Sequence, residues 1–319
     1  MKIKVLANDG ISQAGIDLLS QNNYEVITDN VEQEKLIDYI NENNISCLLV
    51  RSATKVRKDI IDSCKELKLI GRGGVGMDNI DVDYAKEKGL HVINTPAASS
   101  HSVAELVFSH LFSCVRFLHD SNRNMPLDGD SNFKTLKKNY SKGKELEGKT
   151  IGIIGFGRIG QETAKIALGI GMNVLFTDKF VGKTQIDLNL AFDKKISFDL
   201  ESSDMTDLLK NSDFVSLHVP AQKSYVIGKN EFNLMKTGAG LINAARGGVV
   251  DEKSLIESLD SGKLAFAGVD TFENEPKPSV KLLMHPKVSL TPHIGAATNE
   301  AQDRIGIELA NQIMKLVKG

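Results

Sequence analysis

The sequence has no tryptophan and only three cysteines among its 319 residues. Cys47, Cys64 and Cys114 are widely spaced, odd in number and without a CxxC pair. This pattern argues against a disulfide framework and against a cysteine zinc site. We therefore expect reduced, buried thiols, a cytoplasmic location and no bound metal.

An excess of positive charge is also missing, since Lys and Arg number 39 against 41 Asp and Glu, a formal net charge of −2. A general nucleic-acid-binding surface normally needs a basic excess. We expect no nucleic-acid partner, and at most a small local basic patch that binds an anion.

Long apolar runs are absent as well. No stretch approaches the roughly 18–20 apolar residues of a membrane helix, and the N-terminus lacks the apolar segment of a signal peptide. We expect no membrane partner. The 41% hydrophobic and 25% charged residues are typical of a globular protein, and the length predicts two domains.

Short β-rich runs alternate with helical patterns along most of the chain, which predicts parallel strands joined by helical crossovers. A first alternation occupies about a hundred residues, and a second begins at Lys149. Residues 120–149 between them are polar without a clear period and are predicted to be the least ordered stretch. The final segment, Asn299–Val317, is amphipathic and predicted to be helical. The predicted fold class is α/β, with the second domain inserted before this last helix.

A glycine turn lies at the start of the second alternation. Gly155, Gly157 and Gly160 fit the GxGxxG pattern, follow the predicted buried strand Thr150–Ile154 and open the predicted helix Gln161–Leu168. In this context the glycines allow a tight turn, a close approach of backbone to a pyrophosphate and close helix–strand packing. The turn predicts a bound dinucleotide on the N-terminus of the helix.

An acidic residue follows at the expected place. Asp178 directly follows the predicted strand Asn173–Thr177, near the spacing of about 20 residues after the glycine turn that is expected for an acid that bonds the ribose hydroxyls. A carboxylate there repels a 2′-phosphate and favours NAD over NADP, although the neighbouring Lys179 and Lys183 weaken that preference. NAD is the expected cofactor.

Three further strand exits carry polar residues. Arg246, Glu275 and His293 each follow a predicted strand at the carboxyl edge of the sheet, where ligands of open α/β folds bind. Histidine suits proton transfer near neutrality. A carboxylate on its second nitrogen holds the tautomer, and arginine grips a substrate carboxylate. We predict His293 as acid/base, Glu275 as its partner and Arg246 as the substrate anchor. Asp270 is not expected to be the partner of His293 and is expected to lie near the nicotinamide end of the cofactor.

With these residues in place, the sequence resembles the D-isomer-specific 2-hydroxyacid dehydrogenase family. The matching motifs are GFGRIG (155–160), HVP (218–220), NAARGGVVDE (243–252), GVDTFENEP (268–276) and TPHIGAAT (291–298). The resemblance implies a Rossmann-type NAD-binding domain over residues 98–289, inserted into a flavodoxin-like substrate-binding domain formed by residues 1–97 and 290–319. It also implies an active-site cleft between the domains and a homodimer built on the NAD domain.

The resemblance assigns the same three catalytic residues and a wider set of contacts. The implied cofactor-binding residues are Val75, Gly155, Gly157, Arg158, Ile159, Gly160, Asp178, Val219, Pro220, Ala244, Ala245, Arg246, Asp270, His293, Gly295 and Ala296. The expected substrate-binding residues are Arg51, Ser52, Arg72, Gly74, Val75, Arg246 and His293.

Within the family the likeness is greatest to the members that oxidise 3-phospho-D-glycerate to 3-phosphooxypyruvate, the entry to serine synthesis. A substrate with both a carboxylate and a phosphate needs a second cationic anchor, for which Arg51 and Arg72 are the predicted residues. Because the chain ends at Gly319, we expect no C-terminal regulatory domain. The segment before the glycine turn lacks the usual tryptophan, and Phe133 is its nearest aromatic residue.

Two other functions stay open. One is the reduction of an unphosphorylated 2-keto acid such as glyoxylate or hydroxypyruvate. The other is a dinucleotide-sensing binding protein that resembles the corepressors of this fold, which usually carry extensions that this chain lacks.

Overall fold

The structure is a computed structural model that describes residues 2–318, and it divides into two compact units. The first comprises the described residues up to Ser102 together with those from Ala296 onward, and the second is Val103–Gly295.

The first unit begins with five strands and the helices that connect them. The strands are β1 (Ile3–Ala7), β2 (Tyr24–Ile27), β3 (Cys47–Val50), β4 (Leu69–Arg72) and β5 (His91–Asn94). The helices are α1 (Gln13–Gln21), α2 (Leu36–Glu42), which follows a 3-10 turn at Gln33–Lys35, α3 (Lys58–Ser63) and α4 (Val82–Glu87). All strands are parallel in the order β2-β1-β3-β4-β5. This is the flavodoxin-like order, whose reversal point lies at β1.

The second unit begins with three helices, α5 (Ser100–Val115), which starts in the first unit, α6 (Leu118–Asp128) and α7 (Phe133–Asn139). The elements that follow them are β6 (Thr150–Ile154), α8 (Arg158–Gly169), β7 (Asn173–Thr177), β8 (Lys183–Leu190), β9 (Lys194–Glu201), α9 (Met205–Asn211), β10 (Phe214–Leu217), α10 (Lys229–Leu234), β11 (Ala239–Asn243), α11 (Glu252–Asp260), β12 (Leu264–Val269), α12 (Val280–Leu283) and β13 (Val288–Leu290). Six of the strands form a parallel sheet in the order β13-β12-β11-β10-β6-β7. The order reverses at β6, so a crevice for a ligand opens at the carboxyl end of this strand. The predicted α/β class with two doubly wound parallel sheets is confirmed.

The last helix, α13 (Asn299–Leu316), packs on α1 within the first unit. Gly15 and Gly306 meet at this contact, and a Cβ on Gly15 would lie 2.9 Å from the backbone of Gly306. Glycine is required there because the two helix backbones approach more closely than any side chain allows.

The prediction for residues 120–149 was wrong, because α6 and α7 occupy much of this stretch. Their helical period is weak since most of their large apolar side chains face solvent, and Leu136 is the buried exception. Recognising a helix from sequence depends on a buried apolar stripe, and these two helices bury little apolar surface within the chain.

The antiparallel hairpin of β8 and β9 was also missed. Its apolar residues alternate with polar ones, and Ile186 and Leu188 are buried in the core of the second unit. This alternation is the signal that would have predicted it.

Candidate active site

The glycine turn between β6 and α8 has the backbone shape that its sequence predicts. Gly155 has φ +90, and a Cβ there would lie 2.6 Å from the carbonyl oxygen of His218. A Cβ on Gly160 would collide with the carbonyl oxygen of Gly155. Both glycines are therefore needed for the turn itself and for close packing of the helix on the strand.

Gly157 differs from the other two glycines, since no described atom outside its own stretch of backbone lies within 4 Å of the place where its Cβ would be. It is the N-cap of α8, with Arg158 and Ile159 in the first turn of the helix. The first N–H groups of a helix have no partner within the helix and favour an anion. The open backbone at Gly157 therefore fits the pyrophosphate of a dinucleotide, which a side chain would keep away.

Asp178 follows β7 and binds the turn from the side. Its Oδ2 accepts the N–H of Phe156 at 2.6 Å, and its Oδ1 accepts the N–H groups of Phe180 at 2.7 Å and Val181 at 3.1 Å. Burial raises the pKa of this carboxyl, but the three N–H bonds outweigh burial and hold the pKa below its ordinary value. A carboxylate has about four acceptor positions, so one remains for a ribose hydroxyl.

Replacing Asp178 with asparagine is expected to destabilise the turn, because one amide oxygen cannot accept all three N–H groups. The loss of about 1 kcal/mol corresponds to a fall in Tm of about 2–4 °C. Since the lowered pKa stabilises the fold only where Asp178 is ionised, the Tm difference should persist at neutral pH and shrink as pH falls below about 4. Thermal unfolding of both proteins from pH 3 to 8 measures it, and a pH-independent difference would contradict this account.

The HVP turn after β10 also contacts the glycine turn. The Nε2 of His218 lies 2.9 Å from Ser216 Oγ and 3.2 Å from Thr163 Oγ1 on α8. Burial lowers the pKa of His218 to about 3, so this imidazole is neutral. It connects β10 to α8, and of the two residues that follow it Val219 is half-buried and Pro220 is exposed.

His293 and Glu275 form a hydrogen-bonded pair. The Nδ1 of His293 lies 2.9 Å from Glu275 Oε2, and both side chains are 36% exposed. Glu275 Oε1 accepts the N–H of Phe272 at 2.9 Å, which orients the carboxylate. Nε2 is therefore the ring nitrogen of His293 that is left to meet a substrate.

Arg246 belongs to the same group of charges. Burial raises the pKa of Glu275, but hydrogen bonds from His293 and Phe272 and electrostatic attraction from His293 and Arg246 together lower it below its ordinary value. The loop of Arg246 touches the loop of Glu275, because a Cβ on Gly247 would overlap the carbonyl oxygen of Phe272. Arg246 is held by a bond from Nη1 to the carbonyl of Ala245 at 2.7 Å.

Asp270 is buried, with 1% of its surface exposed, and it binds the turn that follows His293. Its Oδ1 accepts from Thr291 Oγ1 at 2.6 Å and from the N–H of Ile294 at 2.8 Å, and its Oδ2 accepts the N–H of Gly295 at 3.0 Å. Sequence reasoning did not foresee these contacts or that of Phe272 with Glu275. The TPHIG motif shows that Thr291 is close to His293 in sequence, but it does not indicate which group forms a hydrogen bond with the Thr291 hydroxyl.

Ala244 and Ala245 are buried directly after β11, and the other predicted residues belong to the first unit. Arg51 and Ser52 follow β3, and the loop is held by bonds from Arg51 N–H to Asp9 at 2.6 Å and from Asn79 Nδ2 to the Arg51 carbonyl at 2.8 Å. The Ser52 residue is exposed and Arg51 is half-buried.

Arg72, Gly74 and Val75 follow β4 in the same unit. Gly74 has φ +141 and donates to the buried Thr95 hydroxyl at 2.8 Å, and the Arg72 guanidinium covers its Cα. The carbonyl of Val75 accepts from Asn94 Nδ2 at 2.7 Å, and that of Ala296 accepts from Gln302 Nε2 at 2.7 Å. Both arginines thus emerge at the carboxyl ends of neighbouring parallel strands.

The three cysteines are free and buried, and burial raises their pKa values to about 12, 11 and 12 for Cys47, Cys64 and Cys114. Within residues 2–318, no group of three or more His, Cys, Asp or Glu side chains is arranged to hold a metal ion. No helix in this described range has both the length and the apolar character to cross a membrane.

Known proteins resemble this chain in sequence and in structure. The sequence model of the D-isomer specific 2-hydroxyacid dehydrogenase NAD-binding domain matches residues 108–295. A hydroxypyruvate reductase of Thermotoga maritima is 43% identical over 98% of this chain and 98% of its own length. A D-3-phosphoglycerate dehydrogenase of Methanocaldococcus jannaschii is 39% identical over 99% of this chain, which spans only 58% of that relative's length.

Among solved structures, the holo form of Rhodotorula graminis D-mandelate dehydrogenase matches with a TM-score of 0.85 at 26% identity, over 98% of this chain and 94% of its own. The glycine turn, the acid after β7 and the three polar strand exits lie within or beside the matched NAD-binding domain. The chain therefore belongs to the NAD-dependent D-isomer-specific 2-hydroxyacid dehydrogenase family.

Proposed function

We propose that this protein oxidises 3-phospho-D-glycerate to 3-phosphooxypyruvate with NAD, the first step of serine biosynthesis. The observation that carries the chemistry is the hydrogen bond between His293 and Glu275 beside the charge of Arg246. We further propose that the first unit is the discontinuous substrate-binding domain and the second unit the NAD-binding domain.

His293 takes the proton of the substrate hydroxyl on Nε2 in the proposed mechanism. Glu275 holds the ring by accepting from Nδ1–H and favours the imidazolium that forms. Arg246 binds the substrate carboxylate in a bidentate manner and polarises the carbon–oxygen bond beside it. In the reverse direction the same imidazolium returns the proton to a keto oxygen.

When bound, NAD supplies the acceptor for the hydride that leaves the substrate carbon. The pyrophosphate is assigned to the turn at Gly155, Gly157 and Gly160, and the ribose to Asp178. The other residues proposed to line the cofactor are Val75, Arg158, Ile159, Val219, Pro220, Ala244, Ala245, Arg246, Asp270, His293, Gly295 and Ala296.

The phosphate is assigned to the first unit. Arg72 ends β4 and is paired in register with Val50, the last residue of the adjacent parallel strand β3. Arg51 directly follows Val50, so both arginines lie at the same edge of the sheet. Two guanidinium groups suit a dianionic phosphate, which accepts bidentate hydrogen bonds. Ser52, Gly74 and Val75 are proposed to complete this side of the substrate site.

A second candidate is supported by the 43% identity to a hydroxypyruvate reductase. This function is the reduction of an unphosphorylated 2-keto acid by the same three catalytic residues. The two functions differ in whether the substrate bears a phosphate.

Steady-state rates with 3-phosphoglycerate, 3-phosphooxypyruvate, glycerate, lactate, hydroxypyruvate and glyoxylate decide between them. The proposal requires that kcat/KM be highest for the phosphorylated acid or its keto product. A preference for hydroxypyruvate supports the second candidate, and tight dinucleotide binding without turnover of any of these acids points to a sensing protein.

Replacing Arg51 with alanine should lower kcat/KM for 3-phosphoglycerate by about 10–10² because a charged hydrogen bond to phosphate is lost. The rates for unphosphorylated acids should change by less than about threefold. Arg57→Ala is the matched control, since this arginine is already paired with Asp81 at 2.9 Å. An equal loss for both substrate classes would show that Arg51 does not bind the phosphate.

We also propose a homodimer formed through the second unit. Large apolar side chains on α5–α7 are unusually exposed for a monomer, with Leu127 at 75% and Phe133 at 56%. The other exposed members are Phe112, Leu118 and Met125. An apolar surface of this kind is typical of an interface.

The double variant Leu127→Asp, Phe133→Asp should therefore dissociate the dimer, because two charges cannot be buried without partners. Light scattering after size exclusion should give 34.8 kDa, the mass of one chain, in place of twice that mass. Phe192→Asp is the control, as Phe192 is 94% exposed on the β8–β9 turn and lies outside α5–α7. A wild type that already has the mass of one chain would overturn the proposal.

A further inference from the structure

A buried row of polar side chains lies under the turn that carries His293. His110 on α5 has 3% of its surface exposed, and its two ring nitrogens bridge two hydroxyls of the β13 region. Nδ1 lies 2.9 Å from Ser289 Oγ, and Nε2 lies 2.9 Å from Thr291 Oγ1. Thr291 Oγ1 lies in turn 2.6 Å from Asp270 Oδ1.

The direction of these hydrogen bonds follows from the chemistry of the groups. An ionised Asp270 only accepts, so the single hydroxyl proton of Thr291 is donated to it. Thr291 Oγ1 must then accept from His110, which places a proton on Nε2. In a neutral ring the other nitrogen, Nδ1, is an acceptor and takes the hydroxyl proton of Ser289.

Burial keeps the ring neutral. Packing is tight around it, because a Cβ on Gly268 would lie 2.7 Å from His110 Cβ. Burial lowers the pKa of His110, His119 lowers it further, and the charge of Asp270 opposes both. Each polar atom of the row then has a donor or acceptor that matches it.

Asp270, at the end of the row opposite Ser289, binds the turn that carries His293. Asp270 accepts the N–H groups of Ile294 and Gly295, directly after His293. His293 itself has φ +57, and its N–H donates to the Thr291 carbonyl at 3.1 Å. A left-handed backbone at a non-glycine residue persists only where its surroundings enforce it.

We propose that His110 is a positioning residue: as the Nε2–H tautomer it orients the Thr291 hydroxyl toward Asp270, which holds the turn that aims His293. His110 does not touch the substrate in this assignment, and its effect on turnover passes through Thr291 and Asp270. The inference rests on the proposed acid/base role of His293.

Thr291→Val is the main test, because it removes the hydroxyl at nearly constant volume. We expect kcat to fall about tenfold, with KM for NAD changed less than about twofold, since the turn is misplaced while the glycine turn is intact. Thr291→Ser restores the hydroxyl and should return kcat to within about twofold of wild type. Equal losses in the valine and serine variants would mean that the methyl packing matters, and would overturn the proposal.

Two substitutions at His110 test the ring directly. Glutamine carries both a donor and an acceptor, so His110→Gln should retain more of kcat than His110→Leu, which has neither. Ser212→Ala is the matched control, because it removes a buried hydroxyl that bonds Leu208 at 2.7 Å before β10 begins, at the opposite end of the sheet. It should leave kcat unchanged, and an equal kcat for the glutamine and leucine variants would overturn the proposal.

A spectroscopic measurement separates this inference from the proposed function. In ¹⁵N-labelled protein, His110 should show a protonated Nε2 and an unprotonated Nδ1, and Thr291→Val should shift the downfield resonance of the His293 Nδ1 proton. Both signals are read without turnover, so they stand even if no 2-hydroxy acid is oxidised. A proton on Nδ1 of His110, or an unmoved His293 resonance, would overturn the proposal.

Discussion

Replacing His293 with alanine is expected to lower kcat by about 10²–10⁴, the usual contribution of a positioned general acid/base. His293 Nδ1 lies 2.9 Å from Glu275 Oε2, and this hydrogen bond sets the tautomer and the orientation of the ring. The substitution therefore removes an imidazole that is already positioned for proton transfer. The pyrophosphate and the ribose are assigned to the glycine turn and Asp178, and His293 is one of twelve other residues proposed to line NAD, so affinity for NADH should change little. Single-turnover rates and NADH fluorescence titration measure the two quantities separately.

His91→Ala is a suitable control, because His91 is exposed at the start of β5, at the opposite edge of its sheet from the predicted substrate residues. This variant should retain wild-type kcat. Near-normal turnover in His293→Ala would be incompatible with an acid/base role and would leave Glu275 without a catalytic partner.

Arg246→Lys is expected to lower kcat/KM by about 10²–10³, although the positive charge is kept. Lysine lacks the planar pair of donors that binds a carboxylate in a bidentate manner and stabilises charge on the reacting oxygen. The substitution also removes the bond from Nη1 to the carbonyl of Ala245. The effect should appear for every 2-hydroxy acid, phosphorylated or not.

This dependence on substrate distinguishes Arg246 from Arg51, because Arg51→Ala should lower kcat/KM for phosphorylated substrates alone. Comparing both variants with 3-phosphoglycerate and glycerate gives a clear test. If Arg246→Lys changes only the rates for the phosphorylated acid, the carboxylate has been assigned to the wrong arginine. If it leaves both rates intact, Arg246 is not the anchor.

Much of the fold could be predicted because its signals are local. The strands Thr150–Ile154 and Asn173–Thr177 have the bounds that the sequence predicts, since each is a β-rich run that ends in a turn or at a polar residue. The glycine turn was recognisable because its three glycines are required by the backbone conformation of six consecutive residues.

Other elements escaped prediction for physical reasons. The helices α6 and α7 bury little apolar surface within the chain, so their sequence carries almost no 3.6-residue period. The polar row below His293 could not be read from the sequence either, because His110 and Thr291 are 181 residues apart. Nothing local distinguishes this histidine from one that faces solvent.

By itself the sequence determined the α/β alternation, the cofactor turn and which residue types leave the strand ends, because each depends on short stretches of backbone. Only the tertiary structure decided which of these residues touch: that Glu275 faces Nδ1 of His293, and that Asp270 binds the turn behind it. Such pairings depend on strand order and on packing between segments far apart in the chain, and a linear pattern contains neither.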